Sequence, residues 1–152
     1  MIEIKTGQEL EVNKVLSFRG KIQQNEVEKI GMHMEAKLRE VGSKRIGNPI
    51  TAIYGVDGMT MDVEILLPID KNTGTIGDYQ FKEKIKLVNA VVASYKGNPT
   101  GLQDACNELN KYIMENKLQP ITVGYNVPKK VDSLNIDDSE IDVYVGINPN
   151  VL

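Results

Sequence analysis

Glu64 and Glu140 are the residues whose setting points to chemistry. Each stands at or near the start of a stretch in which alternate residues are apolar: Met61-Asp62-Val63-Glu64-Ile65-Leu66-Leu67 and Glu140-Ile141-Asp142-Val143-Tyr144-Val145. A carboxylate inside an apolar groove attracts a cationic ligand, or acts as a general base if lost hydration raises its pKa. The alternative is a glutamate solvated on an open sheet face, since carboxylates are seldom buried. Aligning the two stretches on Asp-Val puts Tyr144 at the repeat position of Glu64. A tyrosine beside a carboxylate offers its ring to a cation and its hydroxyl to a hydrogen bond. Tyr54 and Tyr125 are also matched by the repeat, one in each half, and either a shared ligand role or packing in a sheet fits them.

Other reactive residue types carry less. His33 is the only histidine and falls on the polar side of its helix, with no partner for a metal site. Cys106 falls on an apolar helical stripe, where a thiol is inert. Asp70-Lys71-Asn72-Thr73-Gly74 starts like a calcium loop, but Gly74 takes a ligand position and Phe81 stands where the bidentate glutamate belongs. Neither a phosphate-binding glycine loop nor a nucleophile elbow is present. No metal, organic cofactor or catalytic residue is therefore expected.

The elements that must position the two glutamates come as a repeat. Phe18-Arg19-Gly20, a helical stretch, Pro49-Ile50-Thr51 and Asp62-Val63 are followed in the same order by Tyr95-Lys96-Gly97, a helical stretch, Pro120-Ile121-Thr122 and Asp142-Val143. Val12 to Arg19 reads as a strand. Asn25 with Glu28 reads as the capping pair of a helix whose stripe is Val27, Ile30, Met34, Leu38 and Val41, ending at Gly42. Ile50 to Val56, the turn Asp57-Gly58, and an alternating strand with Met61, Val63, Ile65, Leu67 and Ile69 on one face complete the first copy. In the second copy Lys84 to Tyr95 is a strand, Thr100 with Gln103 is the cap, and Leu102, Ala105 or Cys106, Leu109 and Ile113 make the stripe. Strands at Ile121–Val127 and Ile141–Ile147 follow. Repeat 1 covers about 10–70, a polar linker about 70–80, and repeat 2 about 81–150. Pro128-Lys129-Lys130 is expected to break the last hairpin, leaving Pro128–Asp138 as a surface loop or a lid.

The expected fold is α+β: a duplicated strand-helix-strand-strand unit, with an antiparallel sheet, two helices on one face and a groove between the halves. Neither copy can bury its apolar face alone, so the groove where they meet is the natural ligand site. A net charge of −3 and a pI near 5.3 argue against a nucleic-acid surface. A single cysteine excludes an internal disulfide and suits a reducing compartment. No signal peptide and no membrane-length apolar run is visible, so a soluble cytoplasmic protein is expected.

The repeat resembles the GyrI-like effector-binding domains, the ligand-binding modules of bacterial transcription activators. Tyr95-Lys96-Gly97 matches the aromatic-x-Gly before that family's second helix. Asp138-Ser139-Glu140-Ile141-Asp142-Val143 resembles its closing Thr-Glu-Ile-x-Ile/Val pattern. Tyr144 stands where the family pattern closes on a proline, a place Pro68 fills in the first half. The resemblance implies a groove for small cationic or amphipathic molecules, with Glu140 as the pocket glutamate. Regulators of the family carry the fold behind a DNA-binding helix-turn-helix; here the repeats use nearly all the residues, so a stand-alone module is expected. Three functions follow. The first is a non-catalytic module binding a small molecule through Glu140, Tyr144, Glu64, Tyr125 and Tyr54. The second is an interaction or inhibitor module for a protein partner, using the sheet or the 128–138 loop. The third is a hydrolase with Glu140 or Glu64 as base, which needs a raised carboxylate pKa and a second polar group within reach.

Overall fold

The structure is a computed structural model that describes residues 2–130 and 138–148. The elements are β1 (Ile2–Gln23), α1 (Val27–Glu40), β2 (Ile50–Asp57), β3 (Thr60–Pro68), β4 (Gln80–Lys96), α2 (Leu102–Glu115), β5 (Pro120–Lys130) and β6 (Glu140–Ile147). The α+β order is the expected strand-helix-strand-strand, twice. The chain divides into two compact units, Glu11–Lys86 and Met1–Leu10 with Leu87–Leu152. In the first unit β3 pairs antiparallel with β1 and with β2. In the second, β6 pairs antiparallel with β4 and with β5. β1 is longer than the expected strand, and its residues 2–10 belong to the second unit.

Each unit lays one helix on one face of its strands. Val63, Ile65 and Leu67 of β3, with Ile69 just past its end, face a core completed by Leu16, Ile22, Met34, Leu38 and Tyr79. Val143, Val145 and Ile147 of β6 face Val91, Ala93, Leu109 and Ile113. The helix stripes and the period-two strands read from the sequence thus make the two cores, except that Val41, expected to close the first stripe, is 48% exposed. Cys106 is half-buried beside the second, and burial pushes its thiol pKa up.

The helix starts differ from expectation. In place of Asn25 with Glu28, a Gln23–Glu26 capping box closes on a 3₁₀ turn, and Glu26 Oε1 accepts from the Gln23 N–H at 3.0 Å. β1 runs on to Gln23 and the 3₁₀ turn Gln24–Glu26 follows at once, so the cap falls two residues ahead of Asn25. In the second unit Asn98, not Thr100 with Gln103, is the cap: its Oδ1 accepts from the Thr100 N–H at 3.0 Å. Both helices end alike. Ser43 N–H donates to Leu38 O and Gly42 N–H to Arg39 O; Leu118 N–H donates to Ile113 O and Lys117 N–H to Met114 O. These are paired Schellman motifs. Gly42 takes the left-handed position in one, Lys117 (φ 54°) in the other.

The aromatic-basic-Gly motif also has a physical cause. The Phe18 ring lies over Gly20, where a Cβ would meet Cζ at 2.9 Å. Tyr95 lies over Gly97 and Gly101, where Cβ atoms would meet its hydroxyl at 3.0 and 2.3 Å. That hydroxyl donates to Asn98 O at 2.6 Å. Gly101→Ala is expected to displace it and destabilise the fold by about 1–2 kcal/mol. Urea denaturation checks this: in a Tyr95→Phe background the cost of Gly101→Ala should shrink, and strictly additive costs would sink the explanation.

The segment read as a linker is part of the first unit. Asp70 accepts from Ser43 Oγ at 2.5 Å and from the Lys44 N–H at 3.1 Å, which ties it to the end of α1. Ile76 and Tyr79 form a bridge, and Tyr79 is a core residue whose hydroxyl is hydrogen-bonded to Nδ1 of His33. Polar composition hid this, because few residues, Asp70, Ile76 and Tyr79, anchor the stretch. Nor does Pro128 break the last hairpin. β5 continues to Lys130, with a register shift between the pairs Pro128–Ile141 and Lys130–Glu140. One extra residue, Lys129, lets the ladder pass a proline that has no N–H to give. Of the expected lid, residues 131–137 lie outside the described residues.

Candidate functional site

Glu64 lies on the face of β3 opposite the core and is 6% exposed. Its Oε2 accepts from Ser17 Oγ at 2.8 Å and from Lys82 Nζ at 2.7 Å, and its Oε1 accepts from the Tyr54 hydroxyl at 3.0 Å. β1 and β4 supply Ser17 and Lys82, and the irregularity between Ile53 and Gly55 carries Tyr54. Arg19 stacks on the Tyr54 ring at 3.5 Å and grips Asp62 with two hydrogen bonds of 2.9 and 3.1 Å. Burial works to raise the Glu64 pKa. The hydrogen bonds from Lys82 and Ser17, the Lys82 charge and Tyr54 outweigh it and hold the carboxyl below the usual carboxylate range. A general base with a raised pKa, as the hydrolase reading requires, is not what Glu64 is.

The strand register corrects the repeat alignment. Arg19 faces Glu64, and Lys96, its counterpart in the aromatic-basic-Gly motif, faces Glu140. Glu140 is therefore the repeat partner of Glu64, and Tyr144 is not. Tyr144 faces Val92 as Pro68 faces Val15, so it matches Pro68. Tyr125 faces Tyr144, whereas Tyr54 sits at the irregularity between Ile53 and Gly55, past the pair Ala52–Glu64; these two tyrosines are not equivalents. The ion pairs agree with the register, since Arg19–Asp62 (2.9 Å) is answered by Lys96–Asp138 (4.0 Å).

Glu140 has a different setting from its partner. It is half-buried and lines a pocket of about 250 Å³ in the second unit with Glu3, Ser94, Tyr95, Lys96, Lys129 and Asp142. Asp142 is buried and pairs with Lys129 at 2.7 Å, and the hydrogen bond and charge of Asp142 raise the lysine's pKa. Among the described residues no hydrogen bond or ion pair engages the Glu140 carboxylate. Burial, then the Asp142 charge, pushes the Tyr144 pKa up. The structure thus joins Tyr54 to Glu64 in one cluster and pairs Tyr125 with Tyr144 across β5 and β6. Reading the sequence missed Ser17, Arg19, Asp62, Lys82, Lys129 and Asp142. The signal that could have found some of them is the recurring Asp-x-Glu of Asp62-Val63-Glu64 and Asp138-Ser139-Glu140.

No protein-family model matches the chain, and no curated protein matches it by sequence. Solved structures do match. The C-terminal domain of EcmrR superposes with a TM-score of 0.78 at 15% identity, over 97% of this chain and 97% of that one. EcmrR in its DNA complex gives 0.79 at 16% identity over 97% of this chain, which spans only 57% of EcmrR there. The fold is that of the GyrI-like effector-binding domains. The GyrI-like protein SAV2435, solved bound to tetraphenylphosphonium, shares this fold with a TM-score of 0.56 at 9% identity, over 98% of this chain and 94% of that one. No helix among the described residues is long and apolar enough to cross a membrane.

Proposed function

We propose that this chain is a non-catalytic small-molecule-binding module of the cytoplasm, with Glu140 receiving the positive end of a cationic or amphipathic ligand. The contrast between the two repeat partners carries the reading. Glu64 has three donors, one of them its counter-ion Lys82, whereas Glu140 lines a pocket with no hydrogen bond or ion pair among the described residues. Asp142 and Glu3 add negative charge to the same pocket, and its lysines face Asp142 and Asp138. Tyr144 and Tyr125 are proposed to flank the ligand. SAV2435, of the same fold, holds a hydrophobic cation.

The test is binding of tetraphenylphosphonium and smaller quaternary ammonium ions, read by thermal shift and calorimetry. Ligand at a hundred times its dissociation constant should stabilise by about 2.7 kcal/mol. Glu140→Gln is expected to weaken binding roughly tenfold or more and to leave the unliganded melting point unchanged. Unchanged affinity removes Glu140 from the site.

A protein-interaction role has one observation of its own in favour. Val56 (67% exposed) and Met59 (80% exposed) crown the β2–β3 turn, beside a pocket of about 590 Å³ that Gln23, Gln24 and Asn25 help to line. Exposed apolar residues clustered at a turn favour a partner. Capture of a partner that Met59→Lys releases would support this second reading.

A further inference from the structure

Repeat partners on one scaffold invite a direct comparison of what balances each carboxylate. In the second unit no side chain among the described residues hydrogen-bonds or ion-pairs with Glu140, although its charge reaches Lys129. In the first, Lys82 balances Glu64. Its ammonium meets Glu64 Oε2 at 2.7 Å, and its side chain stays 34% exposed while the Glu64 side chain is 7% exposed. The lysine stem therefore runs inward from solvent to a buried anion. Ser17 and Tyr54 fix both oxygens of that anion before any cation arrives. A carboxylate offers about four acceptor positions, and two neutral donors plus one ammonium leave it nearly saturated. This is the layout of a cation site whose ligand is covalently tethered.

We infer that the Glu64 cluster is a cation site that the chain fills with its own Lys82 ammonium, and that a small linear primary alkylammonium takes the site when Lys82 is withdrawn. The site selects a primary ammonium for two reasons. The remaining acceptor position on Oε2 needs an N–H donor, which a quaternary cation lacks. The path left by the lysine stem is the width of a methylene chain, so a linear propyl- or butylammonium follows it and a tetrahedral cation does not. On the function proposed above, the Glu140 site stays open to an external cation, whereas the chain fills the Glu64 site itself. The tether is also a specificity device, since an external amine must displace an ammonium held at high effective concentration.

Chemical rescue tests this. Lys82→Ala leaves the buried carboxylate without its counter-ion and should melt roughly 5 °C below wild type. Propylammonium or butylammonium chloride should restore at least half of that loss, whereas sodium chloride and tetramethylammonium chloride at equal ionic strength should not. In the Glu64→Gln/Lys82→Ala double variant the selective recovery should vanish. Recovery by every salt alike, equal recovery in the double variant, or none in Lys82→Ala overturns the assignment. If Lys82→Ala does not fold alone, the readout becomes its refolding yield. Folded protein obtained only with the primary amines supports the site, and none under any salt overturns it. Glu140 plays no part in this readout, so its result and that of the Glu140→Gln experiment stand or fall separately.

Discussion

Glu64→Ala is expected to destabilise the folded chain by about 2–3 kcal/mol, lowering its melting point by roughly 5–10 °C, and to flatten its response to acid. Ser17 lies buried with its hydroxyl aimed at Oε2 and loses the acceptor that satisfies it, while Tyr54, on a partly exposed side chain, loses its bond to Oε1. Lys82 adds less, because its side chain is one-third exposed and can turn to water. The acid response follows from the direction of the Glu64 shift. Its folded-state pKa is depressed, so the stability it supplies is complete above the ordinary glutamate pKa and is lost as pH falls through the depressed value. Glu11, Asp62 and Asp70 are also shifted down, so the wild-type slope belongs to several groups. The difference between wild type and Glu64→Gln isolates one. Urea midpoints measured from neutral pH down into the carboxylate range should converge for the two proteins. Curves that stay parallel would mean that Glu64 is not held ionised by the fold.

The fold was legible because its signals are periodic and repeated. Alternation in β3 and β6 and the stripes of α1 and α2 each repeat one instruction over several residues, so single errors do not move them. What failed rested on single residues. Caps fell on Gln23 and Asn98, two residues ahead of the expected positions, because each helix is entered through a 3₁₀ turn that carries no apolar stripe. Tyr79, with Ile76 beside it, turned an apparent linker into core. The site was legible in part. Glu64 and Glu140 were both singled out, but matching Asp62-Val63 to Asp142-Val143 slid the repeats four residues out of register. The recurring Asp-x-Glu keeps Asp62 with Asp138 and Glu64 with Glu140, and the cross-strand pairs bear it out. Lys82 was out of reach for another reason. It lies 18 residues past Glu64 on a different strand, and its role depends on how β4 is laid against the cluster, which no local pattern states.

Leu67→Ala should give the largest loss of all, about 3–5 kcal/mol, because it opens a cavity where the first core has least freedom to close. Leu67 is fully buried, in a core with Met34 and Leu38 from α1 and Leu16, its antiparallel partner on β1. β3 is the central strand of its unit, paired on both sides, so its backbone cannot shift inward to fill the space. Leu67→Met keeps most of the volume and should cost less than about 1.5 kcal/mol. The contrast matters more than either number. Equal losses from both variants would point to disturbed backbone pairing, whereas a wide gap at constant denaturant slope assigns the loss to the cavity. Leu66 supplies the internal control, being equally buried on the opposite face of the same strand. A slip of one residue would exchange Leu66 for Leu67 and carry Glu64 into the helix-packed core, where Ser17 and Tyr54 would have no carboxylate to meet. Core packing at Leu67 is in this sense what aims Glu64. The Leu67→Ala protein should therefore lose part of the acid response that belongs to Glu64, and an unaltered difference from its own Glu64→Gln derivative would show the two faces of β3 to be independent.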